Sequence, residues 1–176
     1  GKKVLFVSGE MDEIGHFKYC KRMPHFASVP TLFLKNYTET VRETMEYVFD
    51  QGYDVIAIDS IAEVIEMYKD TYRTTESAAE LWFLNLQSTV KKGENKAKKY
   101  TTFINIQQVT KAGDFAGSNR LKHMTEAMCH LERIKDSDSR RIYFSKNRDN
   151  NIDMSITYRI GLNQIEYSLP DAGDEE

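Results

Sequence analysis

Two apolar runs in the first third of the chain each lead to a single acidic residue. Residues 4–7 are Val-Leu-Phe-Val and continue through Ser-Gly to Glu10, whereas residues 55–58 are Val-Ile-Ala-Ile and are followed directly by Asp59. Uninterrupted runs of this kind predict strands that are buried on both faces of a parallel sheet. Because open α/β sheets bind ligands at the carboxyl ends of their strands, the pattern predicts a site that handles a metal ion and a water molecule.

The rest of the pattern predicts alternating helices and strands, followed by short strands only. We expect helices over residues 12–23, 38–49, 76–90 and 121–128, and further strands over residues 31–34 and 102–106. From residue 128 onwards the β-type patterns are short, which is typical of an antiparallel group. The expected fold class is α/β, with a mostly parallel central sheet flanked by helices and an antiparallel strand group at the C-terminal end. We expect one domain over residues 1–169 and an acidic, flexible tail over residues 170–176.

Composition narrows the class of protein. The chain has 176 residues, 40% apolar content and a net charge of −3, which argues against a uniformly basic nucleic-acid binder. Cys20 and Cys129 form no CxxC motif, so a reducing compartment is favoured over a disulfide framework. No apolar stretch approaches the length of a membrane span. We therefore expect a cytoplasmic protein without a membrane partner.

Three polar residues near strand ends are candidates for chemistry, and each has a plainer alternative. Asp59 has the position of a Walker B acid that holds Mg²⁺, but many folds use such an acid to cap the next helix. Glu10 would activate the attacking water, or else favour the start of a helix. Gln108 follows the strand predicted at residues 102–106 and would contact a γ-phosphate, or else be an ordinary polar end of a strand.

Five segments, in this order along the chain, resemble the ATPase core of the RadA/Sms branch of the RecA family. The resemblance runs from about residue 3 to residue 168, and the Thr-Lys-x-Gly, Ala-Gly and Leu-x-His combination is more specific than any single Walker element. The five segments are Val-Ser-Gly-Glu (7–10), Ile-Asp-Ser-Ile (58–61), Val-Thr-Lys-Ala-Gly-Asp-Phe-Ala-Gly (109–117), Leu-Lys-His-Met (121–124) and Lys-Asn-Arg (146–148). The resemblance implies a RecA-like P-loop NTPase fold that uses ATP and Mg²⁺.

The same resemblance implies roles at the nucleotide. Glu10 matches the acid that activates water, and Asp59 matches the magnesium-associated Walker B acid with Ser60 beside it. Gln108 falls where RecA-type proteins have a glutamine that senses the γ-phosphate. Lys146 and Arg148 match a cationic pair that reaches the nucleotide of a neighbouring subunit, as an arginine finger does. On spacing alone, Lys146 and Arg148 would instead belong to a solvated turn.

It also implies DNA contacts and an assembly. Lys69 and Arg73, and likewise Lys111 and Arg120, occupy the places of the two DNA-binding loops of RecA-type filaments. Cationic side chains there would contact phosphates of single-stranded or branched DNA. Because the ATP site is shared between neighbours, the full protein is expected to form a hexameric ring or a helical filament.

The chain departs from the family pattern in two ways that bear on activity. The phosphate loop GxxxxGK[ST] is absent from these 176 residues. Without it we expect this chain alone to bind ATP poorly or not at all. Asp149 and Asn150 replace the Phe-Gly that follows Lys-Asn-Arg in the family, which bears on the expected interface role.

The predicted function is therefore the core of a DNA-dependent ATPase acting in homologous recombination, DNA repair or branch migration. One alternative is the RecA-type domain of a replicative hexameric helicase. The other is a non-catalytic RecA-fold module that binds DNA or protein.

Overall fold

The two apolar runs form neighbouring strands at the centre of a four-stranded parallel sheet. A computed structural model describes residues 1–109, 119–149, 151–152 and 154–168. The chain divides into two compact units, the first within residues 1–117 and the second within residues 118–176. The loop that contains Lys111, Asn150 and the tail predicted for residues 170–176 lie outside the described residues.

The first unit alternates strands with helices. Its elements are β1 (Val4–Ser8), α1 (Glu13–Arg22), β2 (Thr31–Phe33), α2 (Val41–Phe49), β3 (Val55–Asp59), α3 (Ile61–Tyr72), α4 (Glu76–Lys91) and β4 (Thr102–Ile106), with 3-10 helices at Pro24–Ser28 and Leu34–Thr40. Its parallel sheet has the order β2-β1-β3-β4.

Alternation along the strands gives the sheet two different faces. On one face, Phe103 contacts Phe49 of α2 at 5.2 Å between ring centres, and Asn105 exchanges hydrogen bonds with Gln87 of α4. On the opposite face, Ile104 and Ile106 of β4 are about half exposed. Residues of the central strands β1 and β3 are buried or half-buried, whereas β4 is an edge strand within the described part of the first unit.

Helix α2 illustrates how the apolar spacing fixes packing. Val41, Met45 and Phe49 recur every four residues and are fully buried. Each such side chain contributes about 1.5–3 kcal/mol through removal from water. The prediction started this helix at residue 38, but residues 34–40 form a 3-10 helix and α2 begins only at Val41.

The described part of the second unit contains one short helix and four strands: α5 (Asn119–Met124), β5 (Ala127–Arg133), β6 (Arg140–Asn147), β7 (Ser155–Ile160) and β8 (Ile165–Ser168). The strands form an antiparallel sheet of order β5-β6-β7-β8. Together with the parallel sheet of the first unit, this confirms the predicted α/β class with an appended antiparallel group. Within the described residues, no helix has both the length and the apolar character needed to cross a membrane.

Candidate active site

Strand register brings the three predicted catalytic residues to one edge of the parallel sheet. Ser8 pairs with Asp59, and Asp59 pairs with Ile106, so the last residues of β1, β3 and β4 lie side by side. Glu10 comes two residues beyond β1, and Gln108 comes two residues beyond β4. The parallel pairing therefore places Glu10, Asp59 and Gln108 together, although they are far apart in sequence.

Hydrogen bonds join this group through one oxygen of Glu10. The hydroxyl of Ser60 donates to Oε1 of Glu10 at 3.0 Å, and Nε2 of Gln108 donates to the same atom at 2.8 Å. Ser60 is 1% exposed, whereas Glu10 and Gln108 lie at the surface. A buried hydroxyl and a surface amide therefore hold a carboxylate that solvent and ligands can still reach.

Several hydrogen bonds hold the turn after β1 and so fix the backbone position of Glu10. The Ser8 hydroxyl accepts from the Met11 N–H at 3.0 Å and donates to the Met11 carbonyl at 2.9 Å. The Lys35 ammonium donates to the Glu10 carbonyl at 2.5 Å. Nothing in the apolar pattern distinguishes Lys35 from other surface lysines, so its anchoring role could not be found from the sequence.

Gly9 permits a close approach between this turn and the start of α3. Its N–H donates to the Asp59 carbonyl at 2.7 Å, which ties the end of β1 to the end of β3. A Cβ atom at Gly9 would lie 2.8 Å from the Cβ of Glu63, closer than real Cβ atoms come. A glycine between an apolar strand and an acid was the available signal for this contact.

Other residues hold the N-cap positions of the helices that follow the two acids. Helix α1 is capped by Asp12, whose Oδ1 accepts from the Gly15 N–H at 2.7 Å. The N-cap position of α3 is Ser60, and its side chain makes no capping hydrogen bond. Neither Glu10 nor Asp59 is therefore the N-cap residue of the helix that follows it.

The electrostatics of the edge favour a cation. Burial raises the pKa of Asp59, and the negative charge of Glu10 raises it further. A divalent cation near Asp59 would relieve this unfavourable crowding of carboxylates. Among the described residues, no group of three or more histidine, cysteine or carboxylate side chains is arranged to hold a metal ion. The carboxylates of Asp59 and Glu10 fit Mg²⁺, which proteins often bind through one or two carboxylates. Water and substrate phosphates then complete the coordination shell.

Lys146 and Arg148 occupy a different structural setting in the second unit. The β5–β6 pairing aligns Lys146 with Met128, so the end of β6 lies beside the chain that leaves α5. Three backbone carbonyls at the end of α5 accept from the Lys146 ammonium: those of Lys122 at 2.9 Å, His123 at 3.4 Å and Thr125 at 2.6 Å. Lys146 therefore closes the C-terminal end of α5 rather than lying in a solvated turn.

Arg148 is held more loosely than Lys146. Its guanidinium donates to the His123 carbonyl at 3.2 Å and pairs with Glu126 at 3.3 Å, and the Arg148 and Glu126 side chains are each about half exposed. Arg148 is thus the member of the predicted cationic pair that can turn away from its own unit with the smaller loss of stabilising contacts.

The residues predicted for DNA contact are distributed as follows. Lys69 lies on helix α3 rather than in an irregular loop, and its ammonium pairs with Glu66. Arg73 follows α3 in a left-handed conformation and is exposed, and Arg120 lies on α5 and is exposed. Lys111 lies outside the described residues. The DNA role of all four stays a prediction.

Comparisons with known proteins bear on the family of this chain. No protein-family model matches the chain. The DNA repair protein RadA of Campylobacter jejuni is 30% identical over 149 residues, which is 84% of this chain and 31% of that protein. The chain spans about a third of the length of the curated relatives it matches.

Solved structures support the fold. The RadB recombinase superposes with a TM-score of 0.61 at 14% identity, covering 94% of this chain and 79% of that one. A KaiC-like protein from Pyrococcus horikoshii superposes with a TM-score of 0.58 at 14% identity, covering 96% and 76% respectively.

Proposed function

From the membership of this chain in the RadA/RecA-like family, we propose that it is the core of a DNA-dependent ATPase acting in homologous recombination, DNA repair or branch migration. The observation that carries the proposal is the convergence of Glu10, Asp59 and Gln108 at one sheet edge, with Glu10 held by two donors. Family relationship alone would support the fold, whereas this convergence supports hydrolysis.

The chemistry would divide between the two carboxylates. Glu10 would orient the attacking water and accept its proton, since it is exposed and fixed by hydrogen bonds. Asp59 would hold Mg²⁺, directly or through water, because it is partly buried beside another negative charge. Bound Mg²⁺–ATP would supply the phosphoryl group and much of the positive charge that stabilises the transition state. Gln108 would present its amide to the terminal phosphate.

Hydrolysis of ATP also needs groups that these residues do not supply. The chain contains no GxxxxGK[ST] segment, so a cradle for the β- and γ-phosphates would come from outside these 176 residues. Arg148 of one subunit would reach the nucleotide of its neighbour in a ring or filament, with Lys146 as its partner or support. Lys69, Arg73, Lys111 and Arg120 would contact DNA phosphates, which predicts affinity that falls as salt rises.

The test is ATP hydrolysis by the product of the whole natural gene, with and without single-stranded DNA, measured beside the 176-residue chain. We expect DNA-stimulated turnover in the whole product, weakened by raising the salt from about 50 to 200 mM. We expect none in the 176-residue chain alone. Absence of hydrolysis in both would overturn the proposal.

A second candidate is a non-catalytic RecA-fold module that binds DNA or protein, and the missing phosphate loop favours it. DNA binding without nucleotide hydrolysis by the whole product would support this candidate. In that case Glu10→Gln would leave the binding of DNA or protein by the whole product unchanged.

A further inference from the structure

We infer that Ser60 and Gln108 are positioning residues for Glu10, which hold one carboxylate oxygen so that the other faces the reacting water. The inference rests on the proposed function. It starts from the fact that both donors reach the same atom, Oε1, at 3.0 and 2.8 Å. Within the described part of the chain, no donor reaches Oε2 of Glu10.

Two donors on one oxygen fix a carboxylate more completely than one. A carboxylate held through a single hydrogen bond can still turn about its last torsion, which is broad for glutamate. Donors that come from two different elements, the β3–α3 junction and the end of β4, restrict that rotation. The open oxygen then keeps a constant direction, which is what a general base needs for in-line attack.

Ser60 is the donor whose side chain has the more fixed conformation. Its side chain is 1% exposed and lies between β3 and α3, so it has little room to adopt another rotamer. Because it makes no capping hydrogen bond to α3, its hydroxyl is committed to Glu10 rather than to the helix. Replacing Ser60 by alanine would therefore remove the bond to Glu10 without removing a cap.

Gln108 is the adaptable member. It lies at the surface two residues beyond β4, and its amide nitrogen carries two N–H groups. One of these is used by Glu10 at 2.8 Å, which leaves the second for an acceptor such as a phosphate oxygen. The same side chain can thus connect the base with the group that the base acts upon.

The first arm of the test uses the 176-residue chain without nucleotide. The readout is the ¹³C resonance of the Glu10 side-chain carboxyl group, assigned by its loss in Glu10→Gln. We expect Ser60→Ala and Gln108→Met each to shift this resonance. Ser139→Ala, which removes another buried serine hydroxyl in the second unit, should leave it in place. A resonance that neither variant moves would overturn the inference, and the exposed Gln108 keeps the test valid even if Ser60→Ala fails to fold.

The second arm uses ATP hydrolysis by the product of the whole gene. Loss of one hydrogen bond to a charged carboxylate predicts a fall in kcat of about tenfold or more for Ser60→Ala, with KM for ATP changed less than about twofold. A merely structural role would lower the amount of folded protein instead. An unchanged kcat in Ser60→Ala would rule out a positioning role for Ser60 and would leave the ATPase proposal intact. If no version hydrolyses ATP, the proposed function fails, and the carboxyl resonance still decides whether Ser60 and Gln108 hold Glu10.

Discussion

The sheet edge around Glu10 and the end of α5 around Lys146 both carry polar residues that the sequence marks as functional, yet their bonding differs. At the sheet edge, Glu10 keeps one carboxylate oxygen without a donor among the described residues and stands beside a second carboxyl group, Asp59. At the end of α5, the three N–H groups of Lys146 are matched by three backbone carbonyls. The first arrangement leaves capacity for a ligand, whereas the second leaves little.

The difference shows how a charged residue of a motif can be assigned either to the binding of a ligand or to the stability of the fold. Carboxylates that lie close together disfavour the folded state, so their proximity points to a ligand that neutralises them. A lysine at the carbonyl end of a helix is favoured both by hydrogen bonding and by the helix dipole. Lys146 therefore serves the fold of its own unit, and Arg148 is the stronger candidate for a contact between subunits.

The largest effect should come from Glu10→Gln at the sheet edge. The amide cannot accept the proton of the attacking water, so turnover in the whole gene product should fall about 10²–10⁴-fold. The melting temperature should not decrease, because the change removes a negative charge near Asp59. ATP hydrolysis assays and circular dichroism measure the two quantities.

Glu94→Gln is the matched control, since Glu94 is an exposed glutamate in the turn after α4. It should retain normal turnover. Equal losses in both variants would show that the assay responds to surface charge and not to a base.

The next largest effect should come from Lys146→Met, which removes all three hydrogen bonds to the end of α5. Unpaired carbonyls there should destabilise the second unit by about 1–3 kcal/mol. Hydrogen exchange of the α5 amides should speed up, as measured by mass spectrometry of peptides covering residues 119–124. Lys135→Met, at an exposed lysine of the same unit, should leave this exchange unchanged.

Arg148→Gln sharpens the comparison within the motif. Its exposed pairing with Glu126 should contribute less than about 1 kcal/mol to stability. If Arg148 reaches the neighbouring nucleotide, turnover of the assembled protein should nevertheless drop strongly. If Arg148→Gln instead loses as much stability as Lys146→Met and keeps normal turnover, both residues serve to stabilise the fold of the second unit.

The smallest expected effect concerns Asp59→Asn and its dependence on pH. Burial and Glu10 raise the pKa of Asp59 in the folded state, so the unfolded state ionises first as pH increases. Folding stability is therefore lost as pH rises from about 4, the ordinary aspartate value. Asp59→Asn should be more stable than the parent protein at pH 7, by about 1 kcal/mol or less. The difference should shrink towards pH 4 in denaturant titrations, and a more stable parent at pH 7 would contradict this reasoning.

Much of the candidate site could be predicted from local patterns. The strands that end near Glu10 and Asp59 are short apolar runs, and runs of this kind are specified by their own residues. Helix α3 was not among the predicted helices, because the polar residues from Glu66 onwards hide its periodicity. Ile61, Val64 and Ile65 are buried in its first half, and Tyr68 packs against Trp82 in its second half.

Tyr68 shows a similar limit. From the sequence alone, a tyrosine in this stretch could stack on a DNA base or pack on its neighbours. In the fold it stacks on Trp82 with ring centres 4.0 Å apart and also contacts Tyr72. The choice depended on α4 lying against α3, which no local pattern specifies.

By itself, the sequence determined the α/β class, the appended antiparallel group and the two strands that deliver Glu10 and Asp59, because these depend on runs and alternation of apolar residues. Only the tertiary structure decided that Ser60 and Gln108 share one oxygen of Glu10, that Gly9 must lack a side chain and that Lys146 closes α5. Each of these is a contact between elements distant in the chain. Their geometry depends on strand register and helix placement, which the packing of the whole unit fixes.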